Sequence, residues 1–403
     1  MINRENYQQY VDKYFVRSKE ILQKDDVNPW VRAQIFIRKG PGIFSYKDAV
    51  KFLREFTDLE KNGGSIYIKE NNSRYEAGEV VMVIVAKIQD IIDLETIYLG
   101  DISYYTTVAS KEYDHEKFDI ESLQLDILSN VYTNMKKIKN SIGDRDIIYM
   151  GARHWLWSED KEIAHVAFKA GISDTSTDIG ASSVDKMGVG TIPHALENVY
   201  AWKYGQDRGV VEATKAFDMY IDKDVSRIAL VDYNNEEIDD TLKVVNEVGS
   251  LYGIRVDTCG ENYMQDAYKN YDFNYENNKL HFYMNHKKIS IDPNQLKLWF
   301  GRGVSITGVY KLVKRLCISK IDRKIILSSG FGNIDKVKAF VDAEKQLEKK
   351  LFDTLGVGDV FGINGLKIST MDITHVGEEK GNMKETHKVG RVSKYNNSLT
   401  RVL

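Results

Sequence analysis

Four short stretches of the sequence combine residue types that can do chemistry. Gly151-Ala152-Arg153 closes an apolar run with an arginine, whose planar guanidinium can hold a carboxylate or a phosphate through two parallel hydrogen bonds. Gly188-Val189-Gly190-Thr191-Ile192-Pro193-His194-Ala195-Leu196 opens a helical segment that runs on through Trp202. Pro193 suits a first helical turn, which puts His194 beside the helix N-terminus, where the positive end of the dipole disfavours imidazolium. A neutral imidazole is the nucleophilic form, although a histidine at a helix start also serves as a cap or as core. Ser328-Ser329-Gly330-Phe331-Gly332-Asn333, between a strand-like and a helix-like segment, offers backbone N–H groups to a phosphate, or is a plain turn. Gly171-Ile172-Ser173-Asp174-Thr175-Ser176-Thr177-Asp178 gathers hydroxyls and carboxylates, a composition that also suits a helix cap. Neither the Walker A pattern nor a complete dinucleotide fingerprint occurs.

These residues need elements to hold them. From about residue 146 the chain repeats short apolar runs that stop abruptly at Gly, Asp or Ser and lead toward helix-like segments. The runs are Ile147–Met150, Ile228–Val231 before Asp232, Ile254–Val256 before Asp257, Ile325–Leu327 before Ser328, and more weakly Leu355–Gly358. Repeated strand-then-helix units predict a parallel sheet covered on both faces, with a closed α/β barrel as a candidate. Polar residues at the C-terminal strand ends then share one rim, either as chemistry or as caps of the following helices.

The first hundred or so residues read differently. Tyr14–Leu22 and Tyr46–Glu55 have helical spacing, Val31–Arg38 and Ser65–Lys69 alternate, and Glu76–Glu79 turns into the β-branched run Val80–Ile88. This is α+β order with antiparallel character. Asn270–Asn294 reads as a surface excursion, a hairpin. From Met371 the chain is polar with a basic end that includes Lys388 and Arg391, and it reads as a solvated tail.

Composition excludes several functions. Lys and Arg number 56 against 59 Asp and Glu, a net charge of −3, so no global basic excess recruits nucleic acid. The longest purely apolar run, Val80–Ala86, falls far short of the roughly 20 residues of a membrane span. The first residues lack the apolar stretch of a secretory signal. Two cysteines, Cys259 and Cys317, build neither a disulfide framework nor a four-thiolate zinc site. The expectation is a soluble cytoplasmic protein without zinc, nucleic acid or membrane partners.

In this order the motifs resemble the nicotinate phosphoribosyltransferase family. Val11–Ser18, Tyr75–Met82, Gly151-Ala152-Arg153, Gly190–Ala195, Leu230-Val231-Asp232, Ile254–Asp257, Ser329-Gly330 and Gly356-Val357-Gly358 carry the resemblance over most of the chain. It implies an irregular TIM-like α/β barrel at 111–369, joined to an α+β sandwich domain formed by residues 1–110 and completed by about 370–403. It further implies a homodimer with active sites at the interface. The reaction would join nicotinate to phosphoribosyl pyrophosphate, driven by ATP hydrolysis with Mg2+, giving nicotinate mononucleotide and pyrophosphate in NAD salvage.

The resemblance also distributes roles. Arg153 would lie beside nicotinate and phosphates. Asp257 and Asp232 would face ribose hydroxyls or magnesium, and Arg255 would meet phosphate. Tyr14, from the neighbouring subunit, would stack on the pyridine ring, and Arg38 would reach phosphate across the same interface. The backbone at Ser329, Gly330, Gly356 and Gly358 would hold the 5′-phosphate. His194 matches the histidine that ATP phosphorylates. Ser176 or Thr177 stands where amide-using relatives carry Asp, and a hydroxyl can donate to a carboxylate that an aspartate would repel, which favours the acid. Nicotinamide or another pyridine is the alternative substrate, and a non-catalytic nucleotide-binding relative the alternative function. Met150 departs from a common aromatic, and Cys259-Gly260-Glu261-Asn262 is unusual.

Overall fold

The computed structural model describes residues 2–114, 119–267 and 271–403 and rests on two six-stranded sheets of opposite kind. The parallel sheet runs in the order Asp174–Thr175, Asp146–Tyr149, Thr354–Val357, Lys324–Leu327, Leu251–Val256 and Arg227–Leu230. In Lys324–Leu327 the consecutive residues Ile325, Ile326 and Leu327 are all buried, as a strand covered on both faces requires. Helices Asp160–Ala170, Glu237–Glu247, Ile306–Ile318 and Ile334–Leu347 lie in the connections. The sheet curls into a half-barrel whose edge strands, Asp174–Thr175 and Arg227–Leu230, are not paired with each other among the described residues. The expected barrel is therefore an open one. All five expected runs are strands, and the sixth, Asp174–Thr175, has two residues, too few for any periodicity to mark it.

The second sheet is antiparallel, ordered Lys384–Glu385, Ser369–Gly377, Trp30–Ile37, Val80–Lys87, Ser65–Ile68 and Thr400–Arg401. Trp30–Ile37 pairs with Ser369–Gly377 from Trp30 opposite Gly377 to Ile37 opposite Ser369, and Thr400 lies opposite Ile68. One sheet thus draws strands from both ends of the chain. Val31, Ala33, Ile35 and Ile37, alternate residues of one strand, are fully buried in a core shared with Phe15, Ile21 and Leu22 of helix Lys13–Lys24. The expected helices appear as Lys13–Lys24 and Ala49–Phe56.

Two expectations change. The excursion is a three-stranded antiparallel meander, Asn274–Glu276, Lys279–Met284 and Lys287–Ile291, and Asn270 lies outside the described residues. It is not purely a surface feature: alternation buries Phe282, Met284, Ile289 and Ile291, with the Phe282 ring 5.4 Å from that of Trp299. The polar C-terminal stretch is no solvated tail either. It enters the antiparallel sheet through Ser369–Gly377, and Lys388 is buried. No helix among the described residues is long and apolar enough to cross a membrane.

Candidate active site

The C-terminal ends of the parallel strands face the antiparallel sheet across a cleft of about 350 Å³. One end of it is aromatic and cationic. Arg153 follows the strand Asp146–Tyr149 and lines the cleft, and its Nη1 donates to Tyr14 Oη at 3.1 Å. The Arg255 guanidinium lies 5.8 Å from the Tyr14 ring centre, and its Nη2 donates to the Ile192 carbonyl at 3.2 Å. Burial, then the charge of Asp12, pushes the Tyr14 phenol well above its ordinary pKa. Arg38, just beyond the strand Trp30–Ile37, also lines the cleft, and burial lowers its pKa.

Tyr14 and Arg38 line the cleft of their own chain. The physical reason is a seam of backbone contacts at the start of helix Lys13–Lys24. Lys13 N–H donates to the Ser176 carbonyl at 2.7 Å, and Asp12 forms an isolated bridge with Thr177. The helix is fastened to the rim of the half-barrel that it serves.

The middle of the cleft holds His194, the first residue of helix His194–Tyr204, with Pro193 as the cap preceding it. His194 Nε2 lies 3.2 Å from Asp232 Oδ1 and 3.1 Å from Lys388 Nζ. Lys388 also forms an ion pair with Asp232 Oδ2 and donates to the Asp257 carbonyl at 3.2 Å. Burial, and next the Lys388 charge, lowers the His194 pKa against the pull of Asp232, so the imidazole is held toward its neutral form. For Asp232 burial acts upward, but Lys388 and His194 outweigh it and hold the carboxyl below its ordinary range. Lys388 is thus a site residue that sequence reasoning left in a tail. The signal that could have found it is its place in a basic stretch with Lys384, Arg391, Lys394 and Arg401. Arg391 joins the same wall, 3.2 Å from Glu261 and 3.4 Å from Asp372.

The far end suits a phosphate. Ser329 and Gly330 take successive positive φ angles, +68° and +81°, and their amides have no acceptor among the described residues. Such a turn presents N–H groups outward, and the left-handed φ is strained for a serine. Ser328 Oγ donates to Asp257 Oδ1 at 2.8 Å. Lys336 Nζ donates to the Ser329 carbonyl at 2.9 Å, and burial pushes its pKa down to about 8, opposed by Asp257. A Cβ at Gly356 would come within 3.0 Å of Met150 Sδ, and one at Gly358 within 2.8 Å of the His154 ring. Glycine at both positions keeps the cleft floor open.

Three predicted residues do not line the cleft: Asp232, fully buried behind His194, and Thr177 and Ser176. Thr177 Oγ1 donates to Asp160 Oδ2 and accepts from Gly180 N–H at 3.1 Å, so it caps the short helix Asp178–Ala181. Its hydroxyl is committed to that role, which leaves none to face a substrate. Ser176 is fully buried beside it, with Oγ lacking a partner among the described residues, and does not line the cleft.

His154, in the cleft wall, gives a test of this packing. Burial, then the Arg153 charge, pushes its pKa down to about 3. Between about pH 6.5 and 3 the unfolded chain binds a proton there that the folded chain refuses, so stability falls as pH falls through that window. Relative to His154→Gln, the wild type should lose about 1.4 kcal/mol per pH unit across it. Urea unfolding at a series of pH values reads this, and parallel curves for the two proteins would contradict the burial.

No family model matches the chain, and no curated protein matches it by sequence. Solved structures do. Nicotinate phosphoribosyltransferase from Vibrio cholerae superposes with a TM-score of 0.62 at 14% identity, over 95% of this chain and 87% of that one. The enzyme of the same name from Porphyromonas gingivalis gives 0.62 at 13% identity, over 99% and 96%. At these identities the likeness is one of architecture: an open α/β barrel joined to a two-ended antiparallel sheet, the fold of the nicotinate phosphoribosyltransferases.

Proposed function

We propose that this cleft transfers the phosphoribosyl group of phosphoribosyl pyrophosphate to the ring nitrogen of nicotinate, giving nicotinate mononucleotide and pyrophosphate. The observation that carries this is the meeting of Arg153, Arg255 and Lys388 with the open Ser329–Gly330 amides in one cleft. The fold likeness supports the same reading. The pyridine nitrogen brings its own lone pair, so attack on the anomeric carbon needs no general base. What the protein supplies is alignment of the two substrates and charge that matches a cationic sugar and a departing pyrophosphate. Tyr14 offers a ring face and Arg153 a fork for the carboxylate. Arg38, Arg255 and Arg391 offer charge to the pyrophosphate, and the Ser329–Gly330 turn takes the 5′-phosphate.

Magnesium fits this site as an ion carried by the pyrophosphate. Among the described residues no three acidic, histidine or cysteine side chains cluster as a metal centre, while Asp257 lines the cleft with one carboxylate oxygen bonded to Ser328. Asp257 would hold the ion with substrate oxygens completing its shell, and the ion would neutralise the leaving group.

ATP enters through His194. With Nε2–H donating to Asp232, Nδ1 keeps the lone pair that attacks the γ-phosphorus; ADP departs and water later takes the phosphoryl group from the histidine. The added charge beside the pyrophosphate site would couple ATP hydrolysis to substrate binding and product release. His194→Ala should abolish both ATP stimulation and acid-labile phosphate incorporation from γ-labelled ATP while leaving slow basal transfer. Full coupling in that variant would remove the phosphohistidine. The assay for the whole reading is purified protein with nicotinate, phosphoribosyl pyrophosphate, magnesium and ATP, and the absence of nicotinate mononucleotide would sink it.

A further inference from the structure

Glu95 differs from the other acids that line the cleft, Asp257, Asp359 and Asp372, in being both buried and without a hydrogen bond among the described residues. It begins helix Glu95–Tyr113 and is only 5% exposed, yet it lines the cleft and its carboxyl makes no hydrogen bond among the described residues. Asp232 and Asp257 are both bonded, to Lys388 and Ser328. The nearest cation to Glu95 is Arg153, 3.9 Å away, an ion-pair distance but too long for a hydrogen bond. A small movement would close that gap. The Arg153 fork can close on Glu95 and spend its charge inside the protein, or stay open and grip an anion in the cleft.

We propose that Glu95 is a positioning residue for substrate specificity: neutral, it leaves Arg153 free to hold the carboxylate of an aromatic acid, and ionised, it captures Arg153 and repels that carboxylate. The inference rests on the reading of the accepted base as a pyridine carboxylate. The groups that face Glu95 are Arg153, Asp12, Asp372, Tyr14 and Tyr98. Burial pushes its pKa up to about 8, Asp12 and Asp372 act the same way, and Arg153 opposes them. Glu95 is then mostly neutral near pH 7 and ionised near pH 9.5, a range in which nicotinate itself stays an anion.

The test is calorimetric binding of nicotinate and of nicotinamide, without phosphoribosyl pyrophosphate, to the wild type and to E95Q at about pH 7 and about pH 9.5. If only the neutral form binds the acid, wild-type affinity for nicotinate falls about 30-fold between the two. In E95Q it changes by less than about threefold, and nicotinamide binding moves little in either protein. Lys336, whose pKa also lies near 8, is present in both proteins, so the comparison removes its effect. Wild-type nicotinate affinity that ignores pH, or an E95Q that loses as much as the wild type, overturns the proposal. Turnover of nicotinate with such a flat profile overturns it alone, whereas no nicotinate binding at either pH overturns the substrate reading with it. Should E95Q melt early, the wild-type profile for acid against amide decides.

Discussion

Arg153→Ala should lower kcat/KM for nicotinate by about 100- to 1000-fold, the effect of removing one aligned charge at a reacting site. The guanidinium combines a fork of donors with a hydrogen bond to the Tyr14 phenol at 3.1 Å. Its loss removes the partner of the substrate carboxylate and frees the ring of Tyr14 to move. Arg153→Lys keeps a charge but not the fork, so it should recover only part of the loss. With nicotinamide, which has no carboxylate to pair, the same alanine variant should lose about tenfold less. Steady-state kinetics on both bases reads this, and equal losses for acid and amide would detach Arg153 from the carboxylate.

The second large effect is on stability. Asp232 is fully buried and accepts from both Lys388 and His194. Asp232→Asn leaves the Lys388 ammonium, itself 4% exposed, without its counter-charge in a low-dielectric place. Breaking a buried pair on one side costs about 3–5 kcal/mol, because desolvation of the remaining charge is no longer offset. The urea midpoint should fall accordingly with an unchanged slope. The double variant Asp232→Asn, Lys388→Met should regain most of that stability and none of the ATP coupling, since the orphaned charge is gone but the histidine is unheld. A single variant as stable as the wild type would mean that the pair is open to solvent.

Much of the frame was legible because burial writes itself into sequence. A strand covered on both faces must be an apolar run, and each such run ended at the residue that now stands at the rim, as Ile254–Val256 does before Asp257. His194 was legible because glycine, proline and histidine at those spacings mark a helix start. Lys388 was not, for a physical reason. Its burial is set by a carboxylate 156 residues away in sequence, and no local periodicity records a pairing at that distance. Thr177 misled in the opposite sense: a hydroxyl at a strand end looks free until Asp160, on another element, is seen to hold it. The attachment of the Tyr14 helix to its own half-barrel was equally hidden, because the bond from Lys13 N–H to the Ser176 carbonyl involves backbone alone and leaves no residue-type signature.

The two-ended antiparallel sheet has a consequence for how the protein is made. On the ribosome, the half-barrel strands from Asp146 to Val357 are all synthesised before Ser369–Gly377 and Lys388 exist. Until those residues emerge, Trp30–Ile37 lacks one of its two partners and Asp232 lacks its lysine. A nascent chain can therefore fold its barrel and still carry an unpaired strand edge and a half-built site. Such edges favour pairing with other chains, and pairing across more than 300 residues is slow. That edge and that site stay open until the chain has been made through Lys388.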